Sequence, residues 1–339
     1  NWDRGWMDGD ARHGAVIRGS ILSVATAGLI GVFGFLTRRA LALTLPDVAY
    51  GFFYSAFAFV MLLVSYVDLG LNNSGAILIS RSMGRSERSG ARTVFGVMVA
   101  VKVGLGAVGA VVLLAFSRPL IHGYFSYPTG WPAFCILVLL LPFRGFFSSA
   151  VSACDGVQDF RARNALQFSQ AALTFGVILG CIAFLGDGLV IPAVAYVAGA
   201  VVAAAGGSLW LARRYGLVPA LGSLHHDAVT LVETWRFGRW VALATAATMT
   251  MFYMDTLMLT HLRGLESVAL YNIVLPIVQV FQGIVLLPRI LAPVAARFWQ
   301  EGRHEDLGRL CATVSELCNA LLWTAIVTTV LFGREIISV

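Results

Sequence analysis

Nine long apolar stretches constrain the fold of this chain more than any other feature of its sequence. A helix needs about 20 apolar residues to cross the hydrocarbon core of a bilayer, and each stretch is long enough. None of them alternates apolar and polar residues with a period of two, so the pattern predicts helices. The nine predicted spans cover residues 15–44, 48–79, 91–117, 131–153, 164–186, 188–212, 236–261, 266–296 and 307–332.

The composition indicates a membrane environment and excludes an ordinary soluble domain. Of 339 residues, 58% are hydrophobic and 12% are charged, and the mean hydropathy is +0.80. Soluble domains carry about 25% charged residues, and a soluble chain could not cover its surface with so few. The five cysteines fall in apolar stretches without metal-ligand spacing, so we expect neither a metal nor another cofactor. We therefore predict an all-α polytopic membrane protein.

The distribution of basic residues predicts the orientation in the membrane. Sixteen of them lie in the N-terminal segment and in the loops after spans 2, 4, 6 and 8, and five lie on the opposite side. Because basic loops stay in the cytoplasm, we expect a cytoplasmic N-terminus in a multi-pass protein of the cytoplasmic (inner) membrane. The basic residues cluster in short loops and show no pattern typical of nucleic-acid binding.

The two halves of the chain resemble each other at a nearly constant offset. Residues 84–90 and 302–308 share Gly, Arg, Glu and Gly at matching positions, at an offset of 218 (302 − 84 = 218). Residues 25–27 and 244–246 are both Ala-Thr-Ala, at an offset of 219. Such similarity indicates an internal duplication, as in transporters built from two related halves. Each copy would hold six spans, which gives both copies the same orientation.

The duplication predicts the domain organisation. Residues 1–14 form a cytoplasmic segment, 15–212 form an N-lobe of six transmembrane helices, and 213–235 form a polar cytoplasmic linker. Residues 236–339 then hold the first three helices of a C-lobe, so nine of twelve expected spans are present. Twice the offset gives roughly 436 residues for two complete copies, and we therefore expect the chain to be a fragment.

Several short stretches, taken in their order and spacing, resemble one family of transporters. They are Tyr50–Tyr54, Val67–Leu71, the basic loop Arg81–Arg92, Asp255, Val268–Tyr271 and Leu287–Arg289. With these stretches the chain resembles the polysaccharide transporters of the multidrug/oligosaccharidyl-lipid/polysaccharide (MOP) exporter superfamily. That group includes the flippases for O-antigen repeat units, which act in the biosynthesis of lipopolysaccharide.

The resemblance implies a two-lobed helical bundle around a central cavity, which opens first to one side of the membrane and then to the other. It implies a substrate with a polyprenyl tail, a phosphate or diphosphate, and a short glycan. The expected partners are this polyprenyl-linked oligosaccharide, membrane lipids and the polysaccharide biosynthesis machinery. A multidrug or other small-molecule antiporter and a lipid II-type flippase stay open as alternatives. Because the sequence carries no catalytic motif, we expect a transporter and not an enzyme.

Basic residues in the spans are candidates for contacts with an anionic headgroup, because a charge inside a membrane is costly. Lys102 lies near the middle of span 3, where it contacts a phosphate or pairs with a nearby acid. Arg144 follows a proline in span 4, and the backbone groups that proline frees tend to face a cavity. Arg18 opens span 1, Arg38 lies near its outer end, and Arg289 lies late in span 8. For these three, contact with lipid headgroups is the alternative.

Asp255 and Asp68 are candidates for coupling transport to an ion or a proton. Asp255 lies deep in span 7, where a neutral carboxyl group costs less than a charged one, so protonation could accompany opening. A structural pair with a basic residue is the alternative for Asp255. Asp68 precedes the polar run Asn72-Asn73-Ser74, and its alternative is an organising role at the inner end of span 2.

Overall fold

The computed structural model describes residues 9–85, 87–185, 188–220, 224–285 and 302–338. The described residues form helices and contain no strand, which confirms the predicted all-α class. Within these ranges, the helices of eight or more residues are α1 (Gly9–Thr44), α2 (Asp47–Val67), α3 (Leu71–Gly84), α4 (Arg88–Ala115), α5 (Trp131–Val138), α6 (Leu140–Gly156), α7 (Phe160–Leu185), α8 (Val190–Tyr215), α9 (Leu224–Arg263), α10 (Leu265–Val285) and α11 (His304–Ser338).

Seven of the described segments are apolar and long enough to cross a membrane. They are Thr26–Thr44, Asp47–Val67, Arg88–Ala115, Pro128–Gly156, Phe160–Phe184, Val190–Tyr215 and Gly238–Arg263. Each coincides with one of the first seven predicted spans, which confirms that the chain is polytopic. The eighth predicted span begins on α10 and continues into residues 286–301, which lie outside the described residues, and the ninth falls on α11.

The second predicted span, residues 48–79, is divided into two helices, because the backbone turns between α2 and α3. Leu69 and Gly70 have left-handed backbone conformations, with φ of 49° and 72°, and an α-helix cannot continue through them. Gly70 also lies against α9. A Cβ atom at this position would come within 2.4 Å of the carbonyl oxygen of Gly238. The positive φ and the close approach therefore both favour glycine.

The fourth predicted span is also divided, at the boundary between α5 and α6. Pro142 has no N–H, and a proline ring clashes with the carbonyl group four residues earlier. That residue is Val138, where α5 ends. A new helix begins at Leu140 and carries Arg144 just beyond its first turn.

Packing contacts divide the chain into two units. One comprises residues 21–272, and the other comprises residues 1–20 and 273–339. In the first unit α4, α6 and α8 share a core with buried side chains that include Phe95, Met98, Phe147, Cys154 and Leu211. Small residues let these helices approach closely, since a Cβ atom on Gly106 would lie 2.8 Å from the backbone of Leu141. The candidate site lies in this first unit.

Corresponding helices in the two halves of the chain begin at a nearly constant separation in the sequence. Helix α2 begins at Asp47 and α10 at Leu265, 218 residues later, and α4 and α11 begin at Arg88 and His304, 216 residues apart. These offsets match the repeat in the sequence and support an internal duplication. The predicted linker, residues 213–235, is helical from Leu224 onward, where α9 begins. The bounds of the two lobes stay predictions.

Candidate functional site

Lys102 on α4 is paired with an acid. Its Nζ lies 2.6 Å from Oδ1 of Asp68, and 1% of the lysine side chain is exposed. The same ammonium group donates hydrogen bonds to Oδ1 of Asn72 and, at 3.1 Å, to Oγ of Ser148. The ammonium group is therefore surrounded by one carboxylate, one amide oxygen and one hydroxyl group.

These contacts join three helices at the break between α2 and α3. Asn72 lies in the first turn of α3, and its carbonyl oxygen accepts a hydrogen bond of 2.5 Å from Ser152 on α6. Gly145, also on α6, lies so close to Lys102 that a Cβ atom there would be 3.1 Å from that of the lysine. The hydrogen bonds of Lys102 thus join α4 to α3 and α6, and its ion pair with Asp68 holds the turn between α2 and α3 against α4. A contact with substrate through Lys102 stays a prediction.

Arg38 on α1 faces its neighbouring helices, whereas the adjacent Arg39 is exposed. The guanidinium carbon of Arg38 lies 4.8 Å from the ring centre of Tyr54, a cation–π contact. Its Nη1 donates a hydrogen bond of 2.9 Å to the carbonyl oxygen of Asn272. In the described part of the chain, no carboxylate forms an ion pair with Arg38. Its positive charge is therefore not neutralised by those residues.

Arg144 on α6 has a similar environment. Its side chain is half-buried, and its guanidinium carbon lies 5.1 Å from the ring centre of Phe147. It lies within electrostatic range of the hydroxyl groups of Tyr196 on α8 and Tyr253 on α9. Among the described residues, no carboxylate forms an ion pair with this arginine either.

Tyrosines from three helices surround these two arginines. Tyr50 and Tyr54 on α2 are 1% and 2% exposed, and their hydroxyl groups lie close to each other and to that of Tyr196, but neither of the two forms a hydrogen bond of good geometry among the described residues. Their ring centres are 4.8 Å apart. A buried hydroxyl group without a partner costs about 1–3 kcal/mol, so an orphaned one calls for an explanation such as a ligand or a water molecule. We name the set formed by Arg38, Tyr50, Tyr54, Arg144, Tyr196 and Tyr253 the cation–tyrosine cluster.

The sequence analysis did not predict a role for any of these tyrosines. A signal was present in the stretch Tyr50–Tyr54, because two tyrosines four residues apart lie on one face of a helix. Tyr196 could not be linked to them by spacing, because it lies on a distant helix. Its hydroxyl group lies close to that of Tyr54, and its ring centre lies 4.7 Å from that of Phe57 on α2.

The two candidate acids differ in their surroundings. Asp68 is the partner of Lys102, as described above. Asp255 on α9 is exposed and accepts a hydrogen bond of 3.2 Å from the hydroxyl group of Tyr271. Tyr271 precedes Asn272, whose carbonyl group binds Arg38, so Asp255 is linked to the edge of the cation–tyrosine cluster. Its role in ion coupling stays a prediction.

Two other candidates cannot be placed. The backbone of Arg18 belongs to α1, but its side chain lies outside the described part of the structure. Arg289 lies outside the described residues altogether. No group of three or more metal-ligating side chains occurs within the described ranges.

The cation–tyrosine cluster has the chemistry of an anion site. Two guanidinium groups without a carboxylate partner present many N–H donors, and their planar geometry suits phosphate oxygens. The tyrosines add aromatic faces and hydroxyl groups, which can bind polar and apolar parts of the same ligand. All of these residues lie on helices that cross the membrane, where an uncompensated charge is costly.

Comparisons with known proteins point to one family. A model described as polysaccharide biosynthesis protein matches residues 16–299. A search of curated protein sequences gave no match.

Among solved structures, an inward-facing multidrug resistance transporter of the MATE family, from the MOP superfamily, has 17% identity and a TM-score of 0.73. The alignment covers 94% of this chain and 74% of that one. An outward-facing structure of such a transporter has 18% identity and a TM-score of 0.68, with coverage of 95% and 72%. A MOP transporter from Pyrococcus furiosus, described as having a binding pocket of reverse polarity that suggests a different function, has 17% identity, a TM-score of 0.68 and coverage of 95% and 72%.

Proposed function

The chain belongs to the family of polysaccharide biosynthesis proteins, and we propose that it carries a lipid-linked oligosaccharide across the cytoplasmic membrane by alternating access. It is a multi-pass membrane protein with the fold of MOP transporters. The family and the fold point to a transporter and not to an enzyme. The proposed substrate is a glycan on a polyprenyl phosphate or diphosphate.

One observation carries this proposal: Arg38 and Arg144 lie in the membrane without a carboxylate partner among the described residues. At an effective dielectric constant of about 20, a charge pair 4 Å apart gains about 4 kcal/mol. A phosphate or diphosphate between the two guanidinium groups would therefore supply the missing negative charge. The surrounding tyrosines would bind the sugar residues through their hydroxyl groups and ring faces.

We place Lys102 and Asp68 outside the substrate site in this proposal. A phosphate on Lys102 would have to displace one of three existing partners, of which Asp68 carries a full charge. Removing a partner from a buried ion pair costs about 3–5 kcal/mol. The pair therefore acts in the proposal as a structural joint of the N-lobe.

Transport of a cationic drug is the main alternative, because two of the similar solved structures are of multidrug transporters. Asp255 is the exposed carboxylate that could serve such a function. The positive charge of Arg38 and Arg144 nearby would repel a cation, and we therefore favour the anionic substrate. A lipid II-type flippase has the same charge requirement and remains the second alternative.

We also propose that the N-terminus lies in the cytoplasm, because the predicted cytoplasmic loops carry sixteen basic residues against five on the other side. Whatever the orientation of the protein, a membrane potential that is negative inside favours outward movement of an anionic headgroup by about 2.3 kcal/mol per charge per 100 mV. With the N-terminus in the cytoplasm, a reporter fused after Arg263, at the end of α9, should be active outside the cytoplasm. Activity on the cytoplasmic side would contradict the orientation.

The function can be tested with adjacent arginines as test and control. The change is Arg38→Ala or Arg144→Ala, and Arg39→Ala is the control because Arg39 is exposed on the same helix. We expect each test variant to lower the rate of glycolipid movement by about tenfold or more, since hydrogen bonds to charged groups contribute about 1.5–3 kcal/mol. The measurement is movement of a fluorescent polyprenyl-diphosphate oligosaccharide in proteoliposomes.

The transport rates are compared at equal amounts of wild type and variant in the membrane, so that a lower rate reflects slower transport and not less protein. Arg38→Lys and Arg144→Lys should retain part of the rate, because lysine keeps the charge but loses the paired N–H geometry. A normal rate in both alanine variants, or an equal loss in Arg39→Ala, would contradict the proposal.

A further inference from the structure

A cavity of about 370 Å³ lies between α2 and α9, at the end of α2 where the backbone turns. Its walls are mostly apolar and aromatic. The residues that matter for its chemistry are Tyr66, Leu69, Trp235, Arg239, Trp240 and Leu243. The cavity lies next to the end of the membrane-crossing segment Gly238–Arg263, and thus near one surface of the membrane.

The cavity opens towards the side of the helices. Trp240 and Leu243 line it and are 69% and 63% exposed. Tryptophan is enriched where hydrocarbon meets the headgroup region. The guanidinium carbon of Arg239 lies 5.3 Å from the ring centre of Trp240, and within the described ranges Arg239 forms no ion pair. A cation without an ion-pair partner among the described residues therefore lies beside an apolar cavity, near the beginning of a membrane-crossing segment.

The cavity and the cation–tyrosine cluster lie along one seam between α2 and α9. On α2, Ser65 in the cavity and Tyr54 in the cluster are about three turns apart, and on α9, Ala246 and Tyr253 are about two turns apart. The two residues of each helix therefore lie on the same face of that helix. The rise of the helices places the cavity roughly 10–17 Å from the cation–tyrosine cluster. Between Tyr54 and Ser65 of α2, Ala58 and Leu62 pack against Leu257 of α9, so the two helices are in contact along this seam.

We propose that this cavity is a loading site for the phosphate end of a polyprenyl-phosphate lipid, which reaches it sideways from the membrane. The proposal rests on the proposed function. The phosphate would bind Arg239, and the first isoprene units would contact Trp235, Trp240 and Leu243. A cavity of about 370 Å³ holds only part of such a lipid, so the rest of the tail would stay in the bilayer. The common seam with the cluster favours the carrier lipid over a phospholipid.

The test uses the full protein in phosphatidylcholine nanodiscs. The probe is polyprenyl phosphate with a photoreactive group in an isoprene unit next to the phosphate, and mass spectrometry locates the labelled peptides. We expect labelling of α9 between Trp235 and Ala246. Arg239→Ala should reduce it by about tenfold, because a charge-assisted hydrogen bond is lost. Arg236→Ala is the matched control, since Arg236 is exposed on the same helix and does not line the cavity.

Further experiments identify the molecule that occupies the cavity. Leu243→Trp should fill the cavity and also abolish labelling, which checks the result without removal of a charge. Excess unlabelled polyprenyl phosphate should compete with the probe, whereas phosphatidylglycerol should not. Competition by phosphatidylglycerol would show a general site for anionic lipids, and equal labelling by a polyprenol without phosphate would show an apolar groove. Either outcome, or unchanged labelling in Arg239→Ala, overturns the proposal.

The same samples separate this proposal from the proposed function. If the wild type is labelled at the cavity but does not move the oligosaccharide lipid, the proposed function fails and the loading site becomes a binding site only. If the wild type moves the oligosaccharide lipid but is not labelled at the cavity, the loading site alone is wrong. Arg144→Ala should keep the label and lose transport.

Discussion

The ammonium nitrogen of Lys102 lies 2.6 Å from a carboxylate oxygen of Asp68, at the point where the second membrane-crossing segment turns. Both residues were candidates for direct roles in transport, and the structure shows that each is the other's partner. The lysine has 1% of its side chain exposed, so it lies buried among the helices of the unit formed by residues 21–272. The two arginines of the cation–tyrosine cluster have no such partner among the described residues.

Lys102→Met should destabilise the protein. The change leaves Asp68 charged and without its partner, which costs about 3–5 kcal/mol for a buried pair. Lys102→Met combined with Asp68→Leu removes both charges and should recover most of the stability. The thermal unfolding midpoint in detergent measures both effects. If Lys102→Met unfolds like the wild type but no longer moves substrate, Lys102 contacts the substrate and the structural assignment is wrong.

Gly70→Ala should destabilise the turn between α2 and α3. Alanine in the left-handed region costs about 1–2 kcal/mol, and its Cβ would come within 2.4 Å of the carbonyl oxygen of Gly238. Gly28→Ala is the control, because no atom lies within 4 Å of a Cβ at that position on α1. We expect a lower unfolding midpoint for Gly70→Ala and an unchanged or higher one for Gly28→Ala. Equal midpoints would show that the turn tolerates a side chain.

A disulfide between α2 and α9 should stop transport reversibly. Oγ of Ser55 and Oγ1 of Thr260 are 2.5 Å apart, so cysteines at both positions are close enough to be bridged. If the two helices separate during the transport cycle, oxidation of Ser55→Cys/Thr260→Cys should abolish glycolipid movement and a reductant should restore it. Each single variant, treated with the same oxidant, controls for the five native cysteines. Undiminished transport by the oxidised double variant would show that this seam stays closed.

Acid should weaken the loop between α6 and α7 through Asp159. Partial burial tends to raise the pKa of this carboxyl group, but hydrogen bonds from the Ala162 N–H, Tyr215 and Trp210 outweigh it and hold the pKa below its ordinary value. The folded state therefore binds a proton less readily than the unfolded state. The resulting stability is present above the ordinary pKa of an aspartate, about 4, and is lost as the pH falls through the lower folded pKa.

Asp159→Asn tests this pH dependence. The variant should be less stable than the wild type at pH 7, and the difference should shrink as the pH falls below about 4. Unfolding midpoints measured from pH 3 to pH 7 give the two curves. Arg161→Ala is a control, because Arg161 is exposed and leaves these hydrogen bonds in place. Parallel curves for the wild type and Asp159→Asn would contradict the assignment.

Hydropathy was sufficient to locate the first seven spans, because burial in lipid demands long apolar segments whatever the packing is. It did not detect the turn at Leu69 and Gly70, because residues 48–79 are apolar enough overall to be taken as one span, although Asp68 and the polar run Asn72-Asn73-Ser74 flank the turn. The turn depends on a left-handed backbone and on contact with Gly238, a residue far away in the sequence. The hydropathy of neighbouring residues indicates neither the left-handed backbone nor the contact with Gly238.

The candidate site shows a similar limit. The sequence indicated that Lys102 and Arg144 place positive charges inside membrane spans, which costs free energy unless a partner or a ligand compensates the charge. It could not indicate which of the two residues has a partner within the protein. That depends on the rotation of each helix about its axis, which brings Asp68 towards α4 and leaves Arg144 beside tyrosines. Likewise, Arg38 and Arg39 differ by one position, and packing against Tyr54 distinguishes them.

The turn after α2 is held from two directions, by Lys102 of α4 at Asp68 and by Gly238 of α9 at Gly70. A displacement of α9 would push on the turn Asp68-Leu69-Gly70, which the ion pair between Asp68 and Lys102 holds against α4. A movement of α9 would thus be transmitted through this turn to α4. In the proposed transport cycle, these two contacts would couple the movement of α9 to the position of α4.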